Sequence, residues 1–503
     1  VKRILVLIST FVLLSGLLVT GAPSIHAQSG PTQGGFATDN IEYVGFVPFD
    51  QSTSTGATII GANMYLTSWK NLSIYDITDP TNPVQTAMLP VGFMFENEDV
   101  AVSPDQSFML FSESLPNDIL HVYNVEDKTA IVPIAEVEGA GDHTTSCILR
   151  CTYAYGSDGS ITDLRNPAEP KVVALDTDPN NWHAKINLQG GGHDVTEYKN
   201  GFILVSPLNG AALLVDVRDP ADPKVIATGD DPIPSSERGY LWHSGEWPRN
   251  GDDRWILMQG EDNANPQCHD KIGPFATFDT KGGVGPTQPF KLTDTYKVTN
   301  GTFTDGNPPA NALGCSAHWF ETHRTFNDGG LVTIAFYEHG TRFLRIMPDG
   351  AIKKVGHFLA YGGSTSAAYW VDDEIVYSVD YTRGIDILRW TGPTFVPKVQ
   401  TPKLPGPLVR LRVTDETPKD GQEITFFTRL ERCAGHEGTN IQLRKKVDGH
   451  YETIATTKLD ANCRAQFKQT AAGRSVNYRT WWPKQHDDHR RGKSEPVTVN
   501  TSA

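Results

Sequence analysis

Cysteine is scarce in this 503-residue chain, with six residues, and methionine is equally rare. Other things are missing altogether. After the first two dozen residues no apolar run approaches the roughly 20 residues that a helix needs to cross a bilayer, so no transmembrane segment is expected in the body of the chain. No long amphipathic helical pattern appears either. There is no G-x-S-x-G elbow, no phosphate-binding loop and no EF-hand signature. These absences argue against a serine hydrolase of the elbow type, a nucleotide cofactor and a calcium loop. Basic residues are short in one part only: residues 28–400 carry 24 Lys and Arg against 47 Asp and Glu, whereas residues 401–503 carry 18 against 12. An acidic body argues against nucleic acid as a partner. The basic tail suits an anionic cell envelope, or is simply a solvated surface.

At the N-terminal end, Lys2 and Arg3 precede an apolar run from Ile4 to Val19, closed by Ile25-His26-Ala27. That order predicts a secretory signal peptide over 1–27, cleaved after Ala27, and hence a secreted or surface-held protein. In an exported chain an even number of cysteines predicts disulfides, and the three local groups are Cys147 with Cys151, Cys268 with Cys315, and Cys433 with Cys463. A zinc site is the competing reading for Cys147 and Cys151, although no second close pair of thiols accompanies them.

The 46 Gly and 33 Pro, with 10% aromatics, favour an all-β chain. The chain repeats itself. Residues 64–84 read MYLTSWKNLSIYDITDPTNPV, residues 153–172 YAYGSDGSITDLRNPAEPKV, and residues 202–225 FILVSPLNGAALLVDVRDPADPKV. Each is an apolar strand, a polar turn, a second strand, then an Asx-Pro-x-x-Pro corner. The prolines at 80 and 83, 167 and 170, and 220 and 223 lock φ and cannot donate to a ladder, so they end the strand. Weaker copies at 108–133, 255–299, 331–356 and 375–400 bring the count to seven. Units that cannot bury their apolar faces alone close most economically as a propeller. The expected fold is therefore all-β: a seven-bladed β-propeller over 55–400, preceded by a linker or closing segment at 28–54. Short alternating runs such as LVRLRVTD and EITFFTRL predict a small immunoglobulin-like β-sandwich over 401–503. Residues 260–315, rich in Gly, Pro and Asn, read as an insertion stapled by Cys268 and Cys315 that forms a lid or rim. The second strands SIYDITDPTNPV, ALLVDVRDPADPKV and GIDILR resemble those of the LVIVD-repeat proteins over about 55–400. This resemblance implies a propeller and names no activity.

Aligning the units on their first apolar strand yields a column of histidines: His143, His193, His243 and His318, with Glu98 in the second unit and Ser366 in the seventh. Inner strands of a propeller begin around one mouth of the axial channel, so these positions from separate blades converge. Imidazole is a preferred donor for iron, copper and zinc, and ligands drawn from several blades need no local motif. Asp194, Glu197, Glu246 and Glu321 are the carboxylates available to orient the rings through their free N–H groups. His183, His269, His323 and His339 fall outside the column, and the HDDH run at 486–489 reads as a polar loop rather than a metal site. In geometry alone the column is similar to the four axial His of carotenoid-cleaving oxygenases, and to the selenium-binding and methanethiol oxidase propellers. Two functions stay open: a secreted or surface-associated binding protein for a small molecule, protein or envelope glycan, with a metal on its axis; and a metal-dependent extracellular oxidoreductase or lyase. Neither the ligand, the reaction nor the oligomeric state is written in the sequence.

Overall fold

The computed structural model describes residues 33–49, 54–91, 98, 100–113, 117–188, 190–233, 235–262, 268, 271–298, 313–394, 409–430, 437–473, 475–483 and 492–502. The signal peptide expected at 1–27, Cys433, His269 and the 486–489 run lie outside them. The chain divides into two compact units, Val1–Pro397 and Lys398–Ala503. Both are built mainly from antiparallel strands, and the helices among the described residues are single turns of four residues.

In the first unit the strands follow one another as seven meanders. The first is Ser54–Ile60, Asn63–Ser68, Asn71–Asp76 and Val84–Pro90. The second is Phe108–Glu113, Ile119–Asn124 and Val132–Glu138, with residues 100–103 bridged to its inner edge at Val102 and Met109. The third is Thr145–Ile148, Tyr153–Gly156, Ile161–Asp163 and Lys171–Ala174. The fourth is Gly192–Lys199, Phe202–Pro207, Leu213–Asp216 and Lys224–Asp230. The fifth is Leu241–Glu246, Trp255–Glu261, Phe275–Asp279 and Phe290–Tyr296. Its outer strand pairs in parallel with that of the fourth, giving one eight-stranded sheet. The sixth is Phe320–Thr322, Gly330–Ala335, Thr341–Ile346 and Ile352–Ala360, and Gly35–Ala37 adds to its outer edge. The seventh is Thr365–Trp370, Ile375–Asp380 and Gly384–Trp390, completed by the N-terminal strand Ile41–Pro48.

Burial follows from this order. Each meander is apolar on both faces of its inner strands, and each apolar cluster joins two consecutive meanders. Leu72 and Ile74 meet Met109 and Phe111, Leu110 and Val122 meet Ala154, and Tyr155 meets Ile203 and Val205. Leu204 and Leu214 then meet Ile256 and Met258, Leu257 meets Val332 and Ile334, and Phe343 meets Val376 and Leu388. A seventh cluster joins the last meander to the first through Tyr377 and Val379 against Met64 and Leu66.

One expectation needs correction. The segment 260–315 is not an insertion throughout, because Phe275–Asp279 and Phe290–Tyr296 are the outer two strands of the fifth meander. Their apolar pattern is short and lies among glycines and prolines, which hides it from a reading by composition. Disulfides join Cys147 to Cys151 and Cys268 to Cys315, and Cys463 is also disulfide-bonded.

In the second unit, Val409–Val413, Glu423–Leu430 and Arg464–Thr470 form one sheet. Asn440–Val447, His450–Lys458, Val476–Trp482, Gly492–Lys493 and Val497–Val499 form another. Ile424 and Phe426 from the first share a core with Ile441, Leu443, Tyr478 and Trp482 from the second.

Candidate metal centre

The inner strands of the meanders deliver the histidine column, and a recurring defect in the ladder aims it. In the fourth meander Gly192 pairs with Pro207 and Asp194 with Ser206, so His193 is the extra residue of a bulge. In the fifth, Trp242 pairs with Gly260 and Ser244 with Gln259, which makes His243 the extra residue. Ser366 has the same place in the seventh. A bulge turns its extra side chain out of the strand's alternation, here to where neighbouring meanders do the same. Two glycines ahead of His193, at φ +81° and +94°, make the turn that feeds this bulge, a conformation closed to most L-residues.

Glu98 is the focus. It is 4% exposed. Its Oε1 lies 3.0 Å from His318 Nε2, and its Oε2 lies 3.1 Å from His243 Nε2, 3.6 Å from His143 Nε2 and 4.0 Å from His193 Nε2. The four rings stand in sequence, with centroids 5.0, 3.7 and 4.7 Å apart from His143 through His193 and His243 to His318. The donor atoms of Glu98, His143 and His193 lie within 4.8 Å of one another, as do those of Glu98, His243 and His318, and of His193, His243 and Glu261. His193, His243 and His318 are buried, and His143 is half-buried.

The tautomers follow from the outer partners. His193 Nδ1 lies 3.0 Å from the main-chain oxygen of His243, and His318 Nδ1 bonds the main-chain oxygen of Ser366. A carbonyl only accepts, so each Nδ1 carries a proton, and Nε2 is the nitrogen that faces Glu98. At 3.0 Å from a carboxylate oxygen, Nε2 of His318 either carries a second proton, which makes the ring a cation, or shares a metal ion with the carboxylate. Burial raises the Glu98 carboxyl, but the charges of His318 and His243 outweigh it and hold the group well below the usual range. His193 is driven the other way, by burial first and then by its neighbours His243 and His143, and stays neutral. Among the described residues His243 Nδ1 has no hydrogen-bond partner, while its Nε2 faces Glu98 at 3.1 Å and Glu261 at 3.4 Å. A buried imidazole nitrogen that faces two carboxylates at once fits a bound cation.

The site contains residues that the histidine column does not reveal. Trp319 Nε1 donates to Glu98 Oε2 at 3.0 Å, and the Tyr381 hydroxyl donates to Oε1 at 3.3 Å. Glu261 accepts from the Tyr337 hydroxyl, and the Tyr337 ring lies 4.7 Å from that of His318. Glu261, Tyr337 and Tyr381 all stand at or just beyond the far end of the second strand of a unit, in WILMQGE, TIAFY and YSVDY. A second alignment on strand ends would have grouped them.

The carboxylates expected to orient the rings have other partners. Glu197 Oε1 accepts from the N–H groups of Leu149 and Gly201, at 3.0 and 2.6 Å. Glu246 accepts from the hydroxyl and N–H of Thr322, and Glu321 from the N–H of Trp370 at 2.6 Å. Asp194 accepts from Thr196 Oγ1 at 2.8 Å. The expectation for Glu197, Glu246 and Glu321 is therefore corrected: they tie adjacent meanders together, while main-chain carbonyls orient the rings of His193 and His318. Strand geometry explains the difference, since three or four residues beyond His193, His243 or His318 lies about 10 Å or more farther along the strand. His323 is occupied by Thr325 Oγ1 at 2.7 Å and the Asp373 main-chain oxygen at 3.1 Å.

Gly56 sets the position of Glu98. A Cβ there would overlap the main-chain oxygen of Glu98. Gly56→Ala is therefore expected to push the carboxylate out of the ring of imidazoles and weaken metal binding about 10- to 100-fold, the scale of losses from supporting groups. Competition with a chromophoric chelator measures this, and an unchanged affinity would show that Glu98 does not need this close approach.

No protein-family model matches the chain, and no curated protein matches it. Among solved structures it is similar to PorZ, described as an essential bacterial surface component of the type-IX secretion system of Porphyromonas gingivalis, at 8% identity and a TM-score of 0.18. That match covers 90% of this chain and 75% of the other. So weak a superposition carries no argument about fold or function.

Proposed function

We propose that this chain is an exported seven-bladed β-propeller of the LVIVD-repeat kind, followed by an immunoglobulin-like sandwich. Its axis holds one transition-metal ion, iron, copper or zinc, on His143, His193, His243, His318 and Glu98. The meander order supports the propeller, as do the seven apolar clusters that run from each meander to the next and back to the first, and the N-terminal strand that completes the last one. The disulfides and the leader pattern support export.

The observation that carries the metal reading is the set of Nε2 atoms facing one buried carboxylate, with the Nδ1 protons of His193 and His318 spent on main-chain carbonyls. Metal-bound histidines are oriented in this way. The protein would act as a binding propeller whose ligand completes the coordination of the ion. A second reading, a metal-dependent oxidoreductase or lyase, is favoured by one feature: His143 is the half-buried member of the set, so the centre is open to solvent on its side. When bound, the metal would supply Lewis acidity or redox chemistry at that open position.

Elemental analysis of the mature protein, purified without chelator or a histidine tag, tests the proposal. About one equivalent of iron, copper or zinc is expected. No metal, even after reconstitution with each of the three, would sink it.

A further inference from the structure

The Cys268–Cys315 disulfide does not stand alone. His339 Nε2 lies 3.0 Å from Cys315 Sγ and 3.4 Å from Cys268 Sγ, so one imidazole nitrogen reaches both sulfurs. The three residues come from separate parts of the chain, their donor atoms lie within 4.8 Å of one another, and all are buried. Ile272, fully buried, packs with the two sulfurs. His339 sits in the turn between Gly330–Ala335 and Thr341–Ile346, where its N–H bonds the Phe336 oxygen at 2.7 Å and its own oxygen accepts from Arg342. The Cys147–Cys151 disulfide belongs to no such donor group among the described residues. A staple needs only two sulfurs, so the placement of a third donor calls for its own explanation.

We propose that Cys268, Cys315 and His339 form a second metal site, latent in the disulfide and opened by a thiol reductant. Two electrons and two protons from the reductant break the S–S bond and give two thiols, while the reductant is oxidised to its own disulfide. A soft d10 cation, Cu+ or Zn2+, then displaces both thiol protons and is held by two thiolates and the imidazole. Thiolate and imidazole are the donors such ions prefer. Two thiolates with Cu+ leave one negative charge, and the buried Arg342 beside His339 offsets it. The same turn carries Tyr337, whose hydroxyl bonds Glu261 at the axial centre, so the two sites share a structural element.

The test counts thiols and metal in the full-length protein. Free thiols are assigned by alkylation and peptide mass spectrometry before and after treatment with a phosphine reductant under anaerobic conditions, and the folded state is followed by circular dichroism. Zn2+ alone is then titrated against a chromophoric chelator. Reduction is expected to free Cys268 and Cys315 with the fold retained and to add one tight Zn2+ equivalent over the oxidised protein. This holds whether or not the axial centre binds metal, because only the difference is read. Cys315→Ser should abolish the extra equivalent, Cys147→Ser should keep it, and His339→Ala should weaken it at least tenfold. The proposal is overturned if the pair resists reduction in the folded protein, if the freed thiols add no zinc, or if His339→Ala binds as tightly as the parent.

Discussion

His318→Ala should strip the axial metal while leaving the strand content of the protein unchanged. His318 is wholly buried and its Nε2 is 3.0 Å from Glu98 Oε1, so the substitution removes a donor at the centre of the set and opens a cavity where its ring met Tyr337. Loss of a supporting partner around a metal typically costs 10- to 100-fold in affinity, so loss of a donor is expected to exceed about 100-fold. Elemental analysis after desalting should then find less than a tenth of the parent's metal, and Glu197→Gln, whose carboxylate accepts from the Leu149 and Gly201 N–H groups, should retain it all. Stability provides a second reading of the same residue. Without His318 the buried Glu98 carboxylate loses its nearest positive partner, and a buried charge left unpaired costs roughly 3–5 kcal/mol. Adding Glu98→Gln removes that charge, so the double variant should recover part of the stability that His318→Ala loses, while remaining metal-free. Full metal occupancy in His318→Ala would defeat the axial site, and additive destabilisation in the double variant would show that the two side chains do not interact.

The five members of the set could be brought together from sequence because each opens the inner strand of a unit, and units recur at a readable spacing. The bulges could not be read. His193 and His243 are aimed by one extra residue in the ladder, a feature of pairing between strands that leaves no local mark. The layer that Glu246 and Glu321 enter is equally hidden, since a spacing of three from the histidine does not say how far along the strand its side chain lies. Trp319 and Tyr381, which hold the Glu98 oxygens, are aromatic residues in an aromatic-rich core, and nothing in their immediate sequence separates them from packing residues. In the fold, the strong Asx-Pro-x-x-Pro corners mark strand ends in the first, third and fourth meanders. The fifth lacks such a corner, and its outer strands were lost among glycines. The pairing of Ile41–Pro48 with Gly384–Trp390 joins residues more than 300 positions apart, a distance over which periodicity carries no information.

Glu321→Gln should make the stability of the protein less dependent on pH between 5 and 9. Burial, and then the neighbouring Glu246, push the Glu321 carboxyl up to about 8, and burial pushes Glu246 up to about 7. The unfolded chain ionises both near the ordinary value of 4.5. Above that pH the unfolded state releases protons that the folded state still holds, so stability falls as pH rises from about 4.5 to about 8 and then levels off. Raising the Glu321 carboxyl from 4.5 to about 8 corresponds to roughly 5 kcal/mol. Each residue retains some accessible surface, and the solvent that reaches it should reduce the effect to about half of that. Gln at position 321 keeps an oxygen for the Trp370 N–H and cannot ionise, so the variant should match the parent at pH 5 and exceed it by about 2 kcal/mol at pH 9. Urea midpoints at pH 5, 7 and 9, with the metal stripped from both proteins, measure this. A parent that is equally stable at pH 5 and 9 would mean that the two carboxyls are solvated well enough to ionise without cost, and that the tie from Glu321 to Trp370 is made by a carboxylate throughout.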